Sequence, residues 1–219
     1  MSRTIRVTGK GTIRVKPDTT RLTIDLKGQE KEYDAVMRRS AEDARSLRNA
    51  MEGLGFRAED LKPLSFDVDT KYENYRDRHD DWKNRFVGYE YEHRMKLEFP
   101  SNNTLLGRVL YALAHAPVNP EFAIGYFVRD PEPVKNELLG KAVADAVAKS
   151  TVLAKAASVT LGAIQSIDYS WTRVDFDVDV MDRSPKLMAC ETVSDGYAVD
   201  IEPDEVDASD TVTVVWEIG

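Results

Sequence analysis

Alternation of apolar and polar positions dominates the start of the chain. From Ile5 to Leu26 two alternating runs are separated by Pro17-Asp18, and the first is interrupted by Gly9-Lys10-Gly11. Glycine inside a strand pattern marks a bulge or bend, and Pro-Asp opens a turn, so this stretch reads as a bent β-hairpin. From Tyr33 to Leu54 the period changes. Val36, Met37, Ala41, Ala44, Leu47, Ala50, Met51 and Leu54 share one face of a helix that stops at Gly53 and Gly55. Strands follow from Leu61 to about Tyr75 and from Val87 to Phe99, separated by a polar and aromatic loop, Lys71 to Arg85. A short helix covers Leu105 to Ala114, a strand Phe122 to Val128, and the longest helix Val134 to Val159, spanning about 40 Å at the α-helical rise. Strands from Ile164 to about Val180 and from Val206 to Ile218 complete the chain, with a polar loop carrying Pro185 between them.

The resulting order is β-β-α-β-β-α-β-α-β-β. Strands and helices mix without strict alternation, which predicts an α+β fold with mostly antiparallel sheets and helices on one face. Leu54-Gly55 before one strand and Leu161-Gly162 before another suggest a weak internal duplication. The expectation is a single domain over 1–219, divisible into pseudo-repeated halves 1–99 and 100–219.

Composition narrows the function classes. The 219 residues are 42% apolar and 31% charged, enough for a sizeable core, with net charge -8 and pI near 5.0. That balance argues against a nucleic-acid partner, which needs clustered cations, and against anionic membrane surfaces. No run approaches the length of a membrane span, and Met1-Ser2-Arg3-Thr4 enters a strand without the apolar stretch of a signal peptide. A cytoplasmic location is therefore expected. The one cysteine, Cys190, excludes an internal disulfide framework and a multi-cysteine metal site.

Several pieces fall in the order of a known family. They are Val7-Thr-Gly-Lys-Gly11, Pro17-Asp18, the strand Arg21–Leu26, and Gly55-Phe56 with Glu59-Asp60-Leu61. After these come the strand Ser65–Tyr72, Gly88-Tyr89, and an alanine-rich helix closing in Lys155-Ala-Ala with Leu161-Gly162. In this ordered set the chain resembles the SIMPL-domain family, whose members include an exported immunogenic antigen and periplasmic proteins linked to oxidative-stress tolerance. The family has no established catalytic residues, so the resemblance implies none here. It does imply self-association and a structural or stress-related role.

Candidate chemistry is sparse. Gly9-Lys10-Gly11 is followed by a strand rather than the helix a phosphate loop needs. His79, His93 and His115 share no ligand spacing, and no structural metal or other cofactor is expected. Asp175, Asp177 and Asp179 alternate with Asp182 close behind; carboxylates on one strand face can hold calcium or magnesium, but no glycine for a calcium turn lies between Gly162 and Gly196, so a solvated strand face or loop is expected. The alanines of the long helix suit close packing on its own sheet or a subunit contact. The loop from 71 to 85 combines Tyr72, Tyr75 and Trp82 with Arg76, and its five cations oppose four carboxylates. That mixture suits an ordinary mobile loop, or a protein or subunit contact, better than nucleic acid.

A homo-oligomer is expected. Val87–Phe99 and Val206–Ile218 are long strands with one apolar face, and unpaired sheet edges invite partners. The leading reading is a self-associating structural protein without catalytic activity. The alternative is a small-molecule or protein-binding module using the loop 71–85 or a cleft between the halves.

Overall fold

The computed structural model describes residues 3–169, 177–179, 192–193, 196–197 and 202–219, with side chains outside the three short segments 177–179, 192–193 and 196–197. Its elements are β1 (Thr4–Val15), β2 (Thr19–Glu30), α1 (Tyr33–Glu52), β3 (Leu61–Arg76), β4 (Trp82–Pro100), α2 (Asn103–Ala114), β5 (Glu121–Phe127), α3 (Glu132–Ala156) and β6 (Leu161–Tyr169). After them come the short β7 (Asp177–Asp179), β8 (Thr192–Val193) and β9 (Gly196–Tyr197), and the long β10 (Val206–Ile218). The fold is α+β with antiparallel sheets, as the mixed periodicities predict.

The chain divides into two compact units that interleave along the sequence. One comprises 1–18, 127–178 and 203–219; the other comprises 19–126 and 179–202.

In the first unit the sheet order is β1-β10-β6. β1 pairs with β10 in unbroken register from Thr4↔Glu217 to Val15↔Val206. The expected hairpin from Ile5 to Leu26 does not form, because β1 and β2 belong to different sheets. Gly9 and Gly11 are not a bulge either; they admit a helix. A Cβ on Gly9 would lie 2.0 Å from the Ala142 carbonyl oxygen, and one on Gly11 would lie 2.2 Å from that of Leu138. α3 lies against the strand along a stripe of buried residues at every fourth position: Leu138, Ala142, Ala146, Ser150 and Ala154. Small side chains on the helix and none on the strand let the two backbones touch. Val7, Val212, Val214 and Trp216 fill the remaining core.

The second unit has strand order β3-β4-β2-β5, with α1 and α2 contributing to one core. β2 turns Leu22, Ile24 and Leu26 inward, and β4 turns Tyr91, Met95, Leu97 and Phe99 inward, by strand alternation. α1 adds Val36, Ala44, Leu47 and Met51, and α2 adds Leu106, Val109, Leu110 and Leu113. The buried face of α1 is narrower than its sequence suggests, since Met37 and Ala41 are exposed and Ser40 is buried. Asn102 caps α2 by accepting the Leu105 N–H at 3.0 Å.

Of the two readings open for the long strands, central in a sheet or capped by a partner, the structure has the first. β10 sits between β1 and β6, and β4 between β3 and β2. The Leu-Gly pairs also differ: Gly55 has φ +94 in the turn after α1, whereas Leu161-Gly162 begins β6. α3 runs 132–156 against the expected 134–159.

Candidate functional site

Residues 71–85 are not a loop. Most of them continue β3 and β4 as a two-stranded ribbon that outruns the rest of its sheet. β2 accompanies β4 as far as Glu30↔Tyr89, whereas β3 accompanies it to Arg76↔Trp82. The last third strand therefore ends where the ribbon begins.

Two local features set up this geometry. At Lys71↔Gly88 and Tyr72↔Phe86 the register shifts by one residue on β4, leaving Val87 extra, as in a bulge. Gly88 sits there at φ +144, and a Cβ on it would lie 2.2 Å from the Glu30 carbonyl oxygen. Both the dihedral angle and the contact demand glycine. At the tip, Asp77 organises the turn. Its Oδ1 accepts the N–H groups of His79 and Asp81 at 2.8 and 3.1 Å, and Asp80 takes φ +65. Lys83 pairs with the same carboxylate; its hydrogen bond, with those two N–H groups, holds Asp77 below the ordinary aspartate range.

Alternation gives the ribbon two unlike faces. On one, Tyr72 pairs with Phe86, Asn74 with Asn84, and Arg76 with Trp82. The Tyr72 and Phe86 rings meet edge-on at 5.7 Å, and the Arg76 guanidinium lies 4.9 Å from the Trp82 ring. The aromatic run continues inward from Phe86 to Tyr89 at 5.4 Å and from Tyr89 to Tyr33 at 5.5 Å. Trp82 is 67% exposed, Tyr72 57% and Phe86 45%. On the other face the charges satisfy one another: Arg85 binds Glu73 at 3.1 Å and lies 5.9 Å from the Tyr75 ring. Arg76 is also held by Asp80 at 2.7 Å.

Of the sequence candidates, Tyr72, Arg76 and Trp82 share a face and Tyr75 lies on the opposite one. Phe86 was missed because it lies one residue beyond the expected loop. The spacing of two from Trp82 through Asn84 to Phe86 is the signal that would have found it. The arrangement offers stacking surface and apolar area without a nucleophile–base pair.

The other candidates disperse. His79 is in the ribbon tip. His93 lies in β4 with its ring 5.2 Å from Phe66, and burial, aided by Arg48, lowers its pKa. His115 ends α2, with Nδ1 2.8 Å from the Tyr111 carbonyl oxygen. Among the described residues no group of three or more metal-ligating side chains forms. Asp175, Asp182 and Cys190, and the side chains of Asp177 and Asp179, lie outside the described set.

Comparison with known proteins gives a consistent family and no reaction. Residues 5–216 match the SIMPL family, described as proteins of unknown function (DUF541). The 26 kDa periplasmic immunogenic protein of Brucella abortus (strain S19) is 27% identical over 163 residues, covering 74% of this chain and 65% of the relative. Its namesake in Brucella melitensis biotype 1 is 26% identical over the same length and coverage. The match thus spans just under two thirds of these relatives. Their names place them in the periplasm and lend no support to a cytoplasmic location for this chain. Among the described residues, no helix is long and apolar enough to cross a membrane.

Proposed function

The chain belongs to the SIMPL family, and from that premise we propose that it is a self-associating assembly protein whose β3–β4 ribbon docks on a second copy. The reading assigns the protein no catalytic role; its work is the contact itself.

One observation carries it. A two-stranded ribbon is at best marginally stable in water, yet this one extends past its sheet with Tyr72, Trp82 and Phe86 exposed on a single face. Covering one such aromatic side chain is worth about 2 kcal/mol, and the three lie on one face of the ribbon. Charge favours a like copy as the occupant. The ribbon is nearly neutral in a chain of net charge -8, so it approaches another copy without the repulsion the rest of the surface would meet. Unpaired edges of β10 or β4, the reason sequence alone offered, play no part, because both strands are central. The relatives' names make the periplasm the compartment of this proposal, and fractionation of cells producing the full-length gene product checks it.

Light scattering on the chromatographed protein tests the assembly. The intact chain is expected at a multiple of 24.7 kDa. The double variant Trp82→Ser, Phe86→Ser is expected at the single-chain mass with unchanged far-ultraviolet dichroism. A wild-type protein that stays at the single-chain mass at high concentration overturns the reading and leaves the ribbon as a docking arm for a different protein.

A further inference from the structure

In the first unit, the exposed edge of β1 borders an open groove of about 550 Å³ lined by Lys10, Thr12, Arg14, Asp207, Ser209 and Lys141, with Ile13 and Ala208. Its polar lining has a regular origin. Lys10, Thr12 and Arg14 alternate along β1, opposite Thr211, Ser209 and Asp207 of β10.

The pairing decides where the main chain points. The Lys10 N–H donates to Asp145 Oδ2 of α3 at 2.7 Å, away from β10. Lys10↔Thr211 is therefore a non-hydrogen-bonded pair, and by the antiparallel alternation so are Thr12↔Ser209 and Arg14↔Asp207. The neighbouring Thr8 and Thr213 hydroxyls, 2.9 Å apart, show the close side-chain approach such pairs have. The N–H groups of Thr12 and Arg14 thus project from the sheet edge, and neither has an acceptor among the described residues.

The side chains add charge of the matching sign. The Lys10 ammonium has no ion-pair partner among the described residues. Arg14 Nε reaches Asp207 at 2.9 Å, and Lys141 reaches Glu137 at 2.8 Å; both pairs are solvent-exposed and readily exchanged. Three cations face a single lining carboxylate in a protein that is acidic as a whole. The nearby Asp145 is already engaged by Lys149 at 2.7 Å and by the Lys10 N–H.

We propose that this groove binds a small multivalent oxyanion, held by Lys10, Arg14 and Lys141, by the outward N–H groups of Thr12 and Arg14, and by the Thr12 and Ser209 hydroxyls. Main-chain donors and flanking cations that converge on one concavity are the chemistry that recognises phosphate-like groups. The inference is independent of the assembly reading, since no ribbon residue takes part.

The test is titration of inorganic pyrophosphate into the full chain at ionic strength held constant with sodium chloride, read by calorimetry. Saturable binding is expected, at least tenfold weaker in Lys10→Gln, Lys141→Gln and unchanged in Lys62→Gln, which removes the same charge outside the groove. Titration with citrate distinguishes phosphate recognition from general polyanion recognition. Amide shifts in the wild-type protein give a readout that needs no variant: Thr12 and Arg14 should move most. Non-saturable heats, equal affinity in the folded double variant, or shifts spread over the surface without these two amides would overturn the proposal.

Discussion

Gly9 shows how one missing side chain sets a packing distance. With its Cβ position 2.0 Å from the Ala142 carbonyl oxygen, Gly9→Ala must push α3 off the sheet or bend β1. The expected cost is about 3 kcal/mol, the upper end for overpacking, measurable by urea denaturation. Glu98 illustrates the electrostatic side at the same scale. Its carboxylate is desolvated, which alone would raise its pKa, but hydrogen bonds from Lys96 at 2.9 Å and Arg21 at 2.8 Å outweigh this and hold it below 4.5. A depressed folded-state pKa contributes stability that is complete above the unfolded value and is lost as pH falls through the folded one. Stability should therefore drop as pH goes below about 4.5, and Glu98→Gln should flatten that limb while costing roughly 1 kcal/mol at pH 7. Denaturant midpoints between pH 3 and 7 for the two proteins check this.

At the scale of elements, the ribbon and the sheet it extends should exchange amide hydrogens at different rates. The backbones of residues 72–76 and 82–86 pair only with each other, whereas 89–97 of β4 are flanked by a strand on both sides. In dilute protein the ribbon should exchange about 100-fold faster, and the gap should narrow as concentration rises if copies dock there. An unchanged gap across concentrations would count against docking. This is also where the sequence was least legible. α3 and β10 stood out because their signals are local: a long alanine-rich run opened by Pro131 and Pro133 in the first, alternation from Thr211 to Trp216 in the second. The ribbon was hidden because its turn uses Asp77 and a left-handed Asp80 in place of glycine, and its faces pair aromatic with polar residues instead of separating core from solvent. The Ile5–Leu26 hairpin failed for a different reason. Periodicity identifies a strand but not its partner, and the partner of β1 lies at the far end of the chain. Gly9 and Gly11 were legible as special positions, but the neighbouring helix that explains them was not.

For the whole molecule, the interleaved units predict which pieces can stand alone. A fragment of residues 19–126 keeps β2, α1, β3, β4, α2 and most of β5 together with their common core. It should unfold cooperatively on heating. A fragment of residues 1–99 retains β1 without β10 and loses α2, so it should show no cooperative transition. Circular dichroism melts of the two fragments decide the matter, and a cooperative 1–99 would contradict the assigned units. The pairing of Thr8 with Thr213 adds a dimension of time, since synthesis delivers one about two hundred residues before the other. β1 must wait for β10, its only strand partner in the sheet. The segment between them can meanwhile assemble its own sheet. Completion of the β1–β10 pairing is thus a late event of folding, and the long sequence separation makes it a slow one. Until then the strand carrying Val7 stays open to wrong partners, and a chaperone acting on the nascent chain would be expected to protect that stretch.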